Sequence, residues 1–489
     1  MVAWNGTLVR PKLLIGASCQ CVYNIYLHPL RHYPGPKLAA ATGLYHWYWT
    51  LAGRIHRQLH KLHRQHGEVV RIGPDRLSFI APEAWKDIYG PGTTSHKENK
   101  KDGRFYAPTP NGRRAMISLL DNQHHASVRR VFQPAFSDRS LRALEPVINK
   151  HVKRLMHTNL RQLARADEPF DLVHLLNCAI FDIMGDLMLS ESFGMLEQSA
   201  YVEWIETLLV ALRYESVGQF LLEYATLGKL LSFLMPPSAR RKREQHVQYT
   251  AQRVDKRQQK SEATKRDIWG FLAAHENAEM LDIEDKHANA SLFMVAGTET
   301  TITALSGLVF LLLQHPPCMR RLVAEIRDSF TCEDAINMDT LQGLSYLNAC
   351  LSEALRLYPP VPLGNPRVTP ADGNVICGHA VPGHTRVYVS TWAACRSASN
   401  FGDADSFMPE RWLPDSGYDS DRKEASKPFS YGPRNCIGKS MAYHNIRIII
   451  ARILWNYDLL AAAESDGWMK QECFPLWDKK PLMVRVMLR

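Results

Sequence analysis

One short segment combines a single cysteine with glycine, proline and arginine, and it reads Phe429-Ser-Tyr-Gly432-Pro-Arg434-Asn-Cys436-Ile-Gly438. The two glycines permit a tight turn and the close approach of a flat group. The loop N–H groups and the start of the helix-like segment that follows supply positive potential, which favours thiolate over thiol. Arg434, two residues before the sulfur, can meet an anionic group. A thiolate, a flat partner and a paired anion together predict a haem whose iron is bound by Cys436.

The alternative interpretation is a glycine-rich loop around a buried structural cysteine. A bare Cys-x-Gly would favour that alternative, whereas the full spacing Phe-x-x-Gly-x-Arg-x-Cys-x-Gly favours a haem ligand. The other residues of the chain that could take part in chemistry test this prediction of a haem site.

A polar patch interrupts a long apolar segment that predicts a helix over about residues 285–314. Its centre reads Ala296-Gly-Thr-Glu299-Thr300-Thr301, and glycine with consecutive threonines weakens a helix interior. One interpretation is a local kink that opens a groove for dioxygen, where the Thr300 hydroxyl holds water and Glu299 relays protons for O–O cleavage. The alternative is that the threonines bond back to carbonyls of the preceding turn, with Glu299 at a surface.

Two charged pairs have helical spacing. Glu353 and Arg356 lie at i,i+3 among apolar neighbours, which predicts a buried pair, and a buried pair needs a third partner such as Arg411. Most pairs with this spacing are exposed and contribute little, so the spacing alone is a weak signal. His125 and Arg129 lie at i,i+4 on one helical face, for which scattered surface charge is the alternative.

These motifs, in this order and spacing, resemble the cytochrome P450 family of haem-thiolate monooxygenases over about residues 34–488. The resemblance implies Cys436 as the axial ligand of the iron, Thr300 and Glu299 as the catalytic pair, Arg434, His125, Arg129, Arg367, Phe429 and Gly438 as cofactor-binding residues, and Glu353, Arg356 and Arg411 as a structural set. The segments 27–39 and 428–439 look like filamentous-fungal members of secondary metabolism. The implied reaction is the hydroxylation or epoxidation of an apolar small molecule, such as a terpenoid or a polyketide.

The 489 residues, 45% apolar and 22% charged, are typical of a globular protein. Helical periodicity dominates residues 126–356, strands are predicted at 69–72, 77–79, 375–377 and 386–390, and residues 415–427 predict an exposed loop. The prediction is a mainly α protein with a small β portion (α+β), in which residues 34–489 form one large cytochrome P450 haem domain with a long central helix over the haem. Residues 1–33 form a short apolar N-terminal segment.

Cysteine spacing, net charge and apolar length limit the kinds of partner and environment that suit this chain. The ten cysteines form no CxxC pair, which opposes a disulfide scaffold or a zinc ribbon and suits a cytosol-facing, reducing environment. The net charge is +10, but no basic helix is interleaved with aromatics, so nucleic acid is not the predicted partner. The apolar stretch 13–27 falls short of the roughly 20 residues that cross a bilayer. We therefore expect either a short anchor in the endoplasmic reticulum membrane or peripheral association with its surface.

No GxGxxG fingerprint or flavin domain is recognisable, so the two electrons must come from a separate NADPH-dependent reductase, with cytochrome b5 as a further donor. Two other functions remain open. A haem-thiolate isomerase or dehydratase needs no external electrons, although the intact Glu299-Thr300 pair argues against it. A non-enzymatic haem sensor would need an output module, and none is recognisable.

Overall fold

The computed structural model describes residues 6–93, 97–108, 112–201, 214–224, 241, 248–249, 251–257, 267–273 and 281–489. The helices are α1 (Gly6–Tyr26), α2 (Lys37–Ala41), α3 (Leu44–Leu51), α4 (Ile55–His66), α5 (Glu83–Tyr89), α6 (Asn122–Phe132), α7 (Asp138–Arg154), α8 (Arg161–Ala166), α9 (Leu172–Leu189), α10 (Met195–Gln198), α11 (Ile268–Ala273), α12 (Ile283–Gln314), α13 (Pro316–Ser329), α14 (Met338–Gln342), α15 (Ser345–Leu357), α16 (Thr391–Cys395) and α17 (Lys439–Asn456). The strands are β1 (Val69–Gly73), β2 (Arg76–Phe79), β3 (Lys100–Lys101), β4 (Phe170–Asp171), β5 (Arg367–Val368), β6 (Asn374–Ile376), β7 (His379–Val381), β8 (Arg386–Val389), β9 (Tyr457–Ala461) and β10 (Met483–Leu488). The prediction of a mainly helical protein with a small β portion is confirmed.

The chain divides into two compact units by its internal contacts. Unit 1 comprises Met1–Asp102, Pro362–Ala404 and Arg422–Arg434, and unit 2 comprises Gly103–Val361, Asp405–Asp421 and Asn435–Arg489. The cysteine segment contributes to both, because Arg434 ends a piece of unit 1 and Asn435 begins a piece of unit 2.

Unit 1 contains a five-stranded sheet in the order β1-β2-β8-β5-β3 and a separate β6-β7 pair. Strands β2 and β8 run parallel, while the other neighbours in both sheets are antiparallel. A turn at Pro74-Asp75 joins β1 to β2, and the side chains of Phe79, Val387 and Val389 are fully buried in the core of this unit. This sheet carries Arg367 and Lys101 on neighbouring strands.

Helix α12 organises unit 2, and it packs along α9. Asp282 caps its start by accepting from the Asp285 N–H at 2.7 Å, and the helix ends before the Pro316-Pro317 pair. Contact between α9 and α12 is close, since a Cβ on Gly297 would lie 2.6 Å from Met184 Cε. In the described part of the chain, these two helices are long and apolar enough to cross a membrane, and most of each is buried in the protein. Strands β4, β10 and β9 form a further sheet of this unit.

The N-terminal helices of unit 1 present apolar side chains to solvent. Helix α1 covers most of the apolar segment that the sequence predicts as an anchor. Among the described side chains, the exposed apolar surface of α1, α2 and α3 comprises Ile15, Val22, Tyr23, Tyr26, Leu38, Leu44, Tyr48 and Leu51.

Candidate active site

Cys436 lies two residues before Gly438, the N-cap residue that directly precedes α17. Burial raises the pKa of its thiol, while the Gly438 N–H and the charges of Arg129 and Lys439 oppose the rise. The side chain is nonetheless accessible to water. A side chain largely surrounded by protein and still reachable by water lies in a recess, where a ligand can approach the sulfur.

Arg129 is anchored directly beside this cysteine. It lies on α6, which Asp121 caps by accepting from the His124 N–H at 2.7 Å. Its guanidinium donates to the Asn435 carbonyl at 2.7 Å and to Asn435 Oδ1 at 2.8 Å. His125, one turn earlier on the same helix, is buried. The structure therefore brings Arg129 to the Cys436 segment, and it buries the side chain of His125 on the same helix.

In unit 1, three cationic side chains lie close together. Lys101 on β3 lies opposite Arg367 on β5 in the register of the two antiparallel strands, and both side chains are buried. Burial, followed by the charges of Arg367 and Arg434, lowers the pKa of Lys101 well below its ordinary value. Arg367 Nε is buried and makes no hydrogen bond to any described residue. Like charges that repel in a buried place are relieved when an anion binds among them. Sequence reasoning missed Lys101, because the run Lys97–Lys101 resembles an exposed charged segment.

The remaining residues of the loop have distinct surroundings. Gly432 has φ of +77°, and a Cβ there would lie 2.0 Å from the Tyr89 carbonyl oxygen, so the fold requires glycine. Gly438 has no such restriction, since its Cβ would meet only the Phe136 ring at 3.9 Å and Cys436 Sγ at 4.0 Å. Phe429 lies half-buried in the turn that precedes Gly432.

The polar patch of α12 has one accessible face. Ala296 is exposed and Thr300 half-buried, whereas Thr298, Glu299 and Thr301 are buried. The Thr300 hydroxyl donates to the Ala296 carbonyl at 2.6 Å, and the Thr301 hydroxyl donates in the same way to the Gly297 carbonyl at 2.8 Å. The back-bonding alternative is therefore realised for these threonines, but Glu299 does not lie at a surface. Thr300 alone of this set combines a hydroxyl with access to space outside the helix.

Glu299 has a partner that the sequence did not indicate. Lys479 Nζ lies 2.5 Å from Glu299 Oε2, and the two side chains are only 6% and 4% exposed. No spacing or motif marks Lys479, because it precedes Lys480 in an irregular segment near the C-terminus. The predicted relay acid is thus held in a buried ion pair.

The structure brings Glu353, Arg356 and Arg411 together at the interior of unit 2. Arg356 binds both oxygens of Glu353 at 2.8 Å, and Arg411 Nε donates to Oε1 at 3.0 Å. Burial alone would raise the pKa of Glu353, but the hydrogen bond and charge of Arg356 and the charge of Arg411 outweigh it and lower the pKa. Sequence reasoning missed two members. Trp412 Nε1 donates to Glu353 Oε2 at 2.9 Å, and Asp421 pairs with Arg411.

Asp421 also corrects the expected exposure of residues 415–427. Asp421 and Ala425 are buried, although the polar composition of this stretch predicts an exposed loop. Burial of Asp421 follows from its ion pair with Arg411, which a local sequence pattern cannot indicate.

The donor groups fit haem. An accessible thiol at the start of a helix suits iron, and buried guanidinium and ammonium groups suit the two propionates. The orphaned Arg367 Nε and the repulsion at Lys101 are features that a bound carboxylate would relieve.

Known proteins resemble this chain over almost its whole length. The sequence model of Cytochrome P450 matches residues 33–485. The chain is 42% identical to the cytochrome P450 monooxygenase FUM2 of Gibberella moniliformis, over 95% of this chain and 99% of that protein. It is 40% identical to the cytochrome P450 monooxygenase efuB of Hormonema carpetanum, over 95% and 93%. It is 38% identical to the averantin hydroxylase of Dothistroma septosporum, over 98% and 90%. The chain therefore belongs to the cytochrome P450 family of monooxygenases.

Proposed function

We propose that this protein inserts one oxygen atom of dioxygen into an apolar small molecule, by hydroxylation or epoxidation, as a tailoring step in fungal secondary metabolism. The observation that carries the proposal is the Cys436 thiol in a recess, with Arg129 fixed to the preceding residue. Relatives that are monooxygenases, one of them named as a hydroxylase, support the reaction class. A terpenoid or polyketide skeleton is the proposed substrate class, in line with the resemblance of residues 27–39 and 428–439 to filamentous-fungal members of secondary metabolism.

Members of the family bind haem and take electrons from a reductase. Cys436 would bind the iron of haem b. Its propionates would be held by Arg434, Arg367, His125, Arg129 and Lys101. When bound, haem supplies dioxygen activation, which the thiolate ligand favours by donating electron density. Gly438 lies beside the sulfur, since a Cβ there would be 4.0 Å from Cys436 Sγ, which is an ordinary contact distance.

The chain's own part in the chemistry is proton handling and the exclusion of water. Thr300 has its hydroxyl oxygen on the accessible face of α12 and can pass a proton along that face. Glu299 lies next to it in the chain. Its side chain is buried, and one of its carboxylate oxygens forms an ion pair with Lys479. Glu353, Arg356 and Arg411 take no part in proton transfer and keep the surrounding backbone rigid.

We propose that the electrons come from an NADPH–cytochrome P450 reductase, with cytochrome b5 as an additional donor. We also propose that the protein lies on the cytosolic face of the endoplasmic reticulum membrane. The exposed apolar surface of α1, α2 and α3 suits the lipid boundary. The net charge of +10 suits anionic headgroups and an acidic reductase.

The first test of this function is Cys436→Ser. The reduced carbon monoxide complex of the wild type should show the thiolate-specific absorbance, and the variant should lose it. Cys332→Ser, which changes an exposed cysteine, is the matched control and should keep it. A thiolate spectrum that persists in Cys436→Ser would refute the ligand assignment.

The second test is turnover with the reductase, NADPH and labelled dioxygen, using candidate apolar metabolites followed by mass. One labelled oxygen atom in the product is the expected result. Product formed without NADPH would instead indicate an isomerase or a dehydratase, and haem binding without turnover of any candidate would favour a sensor.

A further inference from the structure

A buried ion pair joins the long helix to the C-terminal segment. Glu299 on α12 and Lys479 are both more than nine-tenths buried, and their charged atoms are 2.5 Å apart. Taking two charges out of water is unfavourable, so a buried pair is a poor device for stability alone. The burial of both charges is better explained by a role of the pair in the chemistry of Glu299.

The two oxygens of the Glu299 carboxylate differ. Oε2 accepts from Lys479, whereas Oε1 is buried and accepts no hydrogen bond from any described residue. An ionised carboxylate has about four lone-pair sites, so Oε1 keeps lone pairs that no described residue uses. Lys479 thus engages one oxygen of the group and leaves the other without a hydrogen bond from any described residue.

The turn that precedes Lys479 is anchored to the body of unit 2. The preceding turn is closed by the pairing of Cys473 with Trp477, whose indole donates to the Pro359 carbonyl at 2.8 Å. Trp477 also stacks on Tyr358, with ring centroids 4.8 Å apart. Tyr358 in turn packs against Gly307 of α12, where a Cβ would lie 2.5 Å from the ring. The turn and the helix that carries Glu299 therefore share one anchor.

Other titratable groups do not replace Lys479. Among the described residues, Tyr201 and Tyr358 also interact electrostatically with Glu299. Burial raises the pKa of both phenols, so both stay neutral over the working range of an enzyme. Lys479 is the cation that the described residues place against the carboxylate.

We propose that Lys479 is a positioning residue for Glu299, which fixes Oε2 so that Oε1 alone takes up and releases the transferred proton. The inference rests on the proposed function, because it assigns how the relay acid works. A proton enters and leaves at Oε1, and the ion pair on Oε2 stays intact throughout. A buried carboxylate without its cation binds a proton more readily and releases it less readily.

The test uses the haem-loaded protein and dioxygen as the probe, so that no substrate is needed. Protein reduced with dithionite is mixed with oxygenated buffer, and the rate of reoxidation is measured across pH in H2O and in D2O. Lys479→Met should shift the pH profile upward by roughly one unit or more and change the solvent isotope effect. Lys479→Arg should restore the wild-type profile, and the exposed neighbour variant Lys480→Met should leave it unchanged. A wild-type profile in Lys479→Met, or an equal shift in Lys480→Met, would overturn the proposal.

Thermal unfolding gives a readout independent of oxygen chemistry. Lys479→Met should lower Tm by several degrees, and adding Glu299→Gln to it should lower Tm by much less than Glu299→Gln does in the wild type. Strictly additive shifts would mean that the pair does not exist. The carbon monoxide spectrum separates the two proposals: an intact thiolate spectrum with an unshifted pH profile refutes only the role of Lys479, whereas no thiolate spectrum in the wild type refutes the proposed function.

Discussion

Arg411 donates from Nε to Glu353 Oε1 at 3.0 Å, and both side chains are completely buried. Arg356 occupies the other side of the same carboxylate, and the Met408 N–H donates to it at 3.0 Å. With every oxygen position engaged, the charge of Glu353 is well compensated, and removing one partner leaves another charge buried without its counterion.

Replacing Arg411 with Met should therefore lower the free energy of unfolding by roughly 3–5 kcal/mol. Arg142→Met is the matched control, because Arg142 pairs with Asp339 at 2.9 Å at an exposed site. Loss of that exposed pair should change stability by about 1 kcal/mol or less. Chemical denaturation of both variants measures the difference, and equal effects would contradict the structural role of the buried set.

The same carboxylate should give the protein an acid-sensitive stability. Burial opposes ionisation of Glu353, but Arg356 and Arg411 prevail, and its pKa in the folded protein lies below the ordinary 4.5. A lowered folded-state pKa contributes stability that is present above pH 4.5 and lost as pH falls through the folded-state pKa. Glu353→Gln should be much less stable than the wild type at neutral pH, and the difference should shrink below pH 4.5. A constant difference across that range would contradict the assignment.

Lys101→Met should affect the haem-free and haem-loaded protein in opposite directions. Without haem, removing Lys101 relieves its repulsion with Arg367 and Arg434, so stability should stay the same or rise. With haem, a propionate loses a cation, so haem should leave about tenfold faster, a loss of about 1.4 kcal/mol. Haem transfer to an excess of apomyoglobin measures that rate.

The control for Lys101 is its neighbour. Lys100 is exposed on the same short strand, and Lys100→Met should leave haem transfer unchanged. Equal acceleration in the two variants would point to a general effect of charge rather than to a propionate contact.

Thr300→Val and Thr301→Val test the accessible face of α12. Both changes remove a hydroxyl bonded to the carbonyl four residues earlier, so their effects on the helix should be similar. Only Thr300 reaches the accessible face, so only Thr300→Val should reduce product formed per NADPH, by roughly tenfold or more. Hydrogen peroxide released per NADPH, measured with a substrate that supports turnover, should rise in step. Equal uncoupling in Thr301→Val would assign the effect to helix distortion.

Lipid binding should depend on the exposed apolar surface of α1, α2 and α3. Leu44 and Tyr48 lie one helical turn apart and are 52% and 67% exposed. Replacing either with Asp should weaken co-sedimentation with anionic vesicles by roughly tenfold to a hundredfold, because about 1.5–3 kcal/mol of apolar burial is lost. Leu460→Asp, on β9, is the control and should bind like the wild type. Unchanged binding in Leu44→Asp and Tyr48→Asp would mean that another surface meets the membrane.

Local patterns predicted most of the elements near the site. The apolar run of α12, the turn between β1 and β2 and the helix after Cys436 follow from periodicity and turn residues over short stretches. The Glu353-Arg356 pair could also be predicted as buried, because its neighbours at helical spacing are apolar. In these places the backbone preference and the hydrophobic pattern point the same way, so neighbouring residues carry the information.

The sequence by itself determined the reaction class, because the cysteine loop and the Gly-Thr-Glu-Thr-Thr patch are defined by residue type and close spacing. Only the tertiary structure paired Glu299 with Lys479, 180 positions along the chain, and Arg411 with Asp421 in a stretch that looked exposed. It also placed Lys101 opposite Arg367, on strands far apart in sequence. Partners for buried charges come from whichever segment the packing brings close, and desolvation rather than local spacing decides which of them must pair.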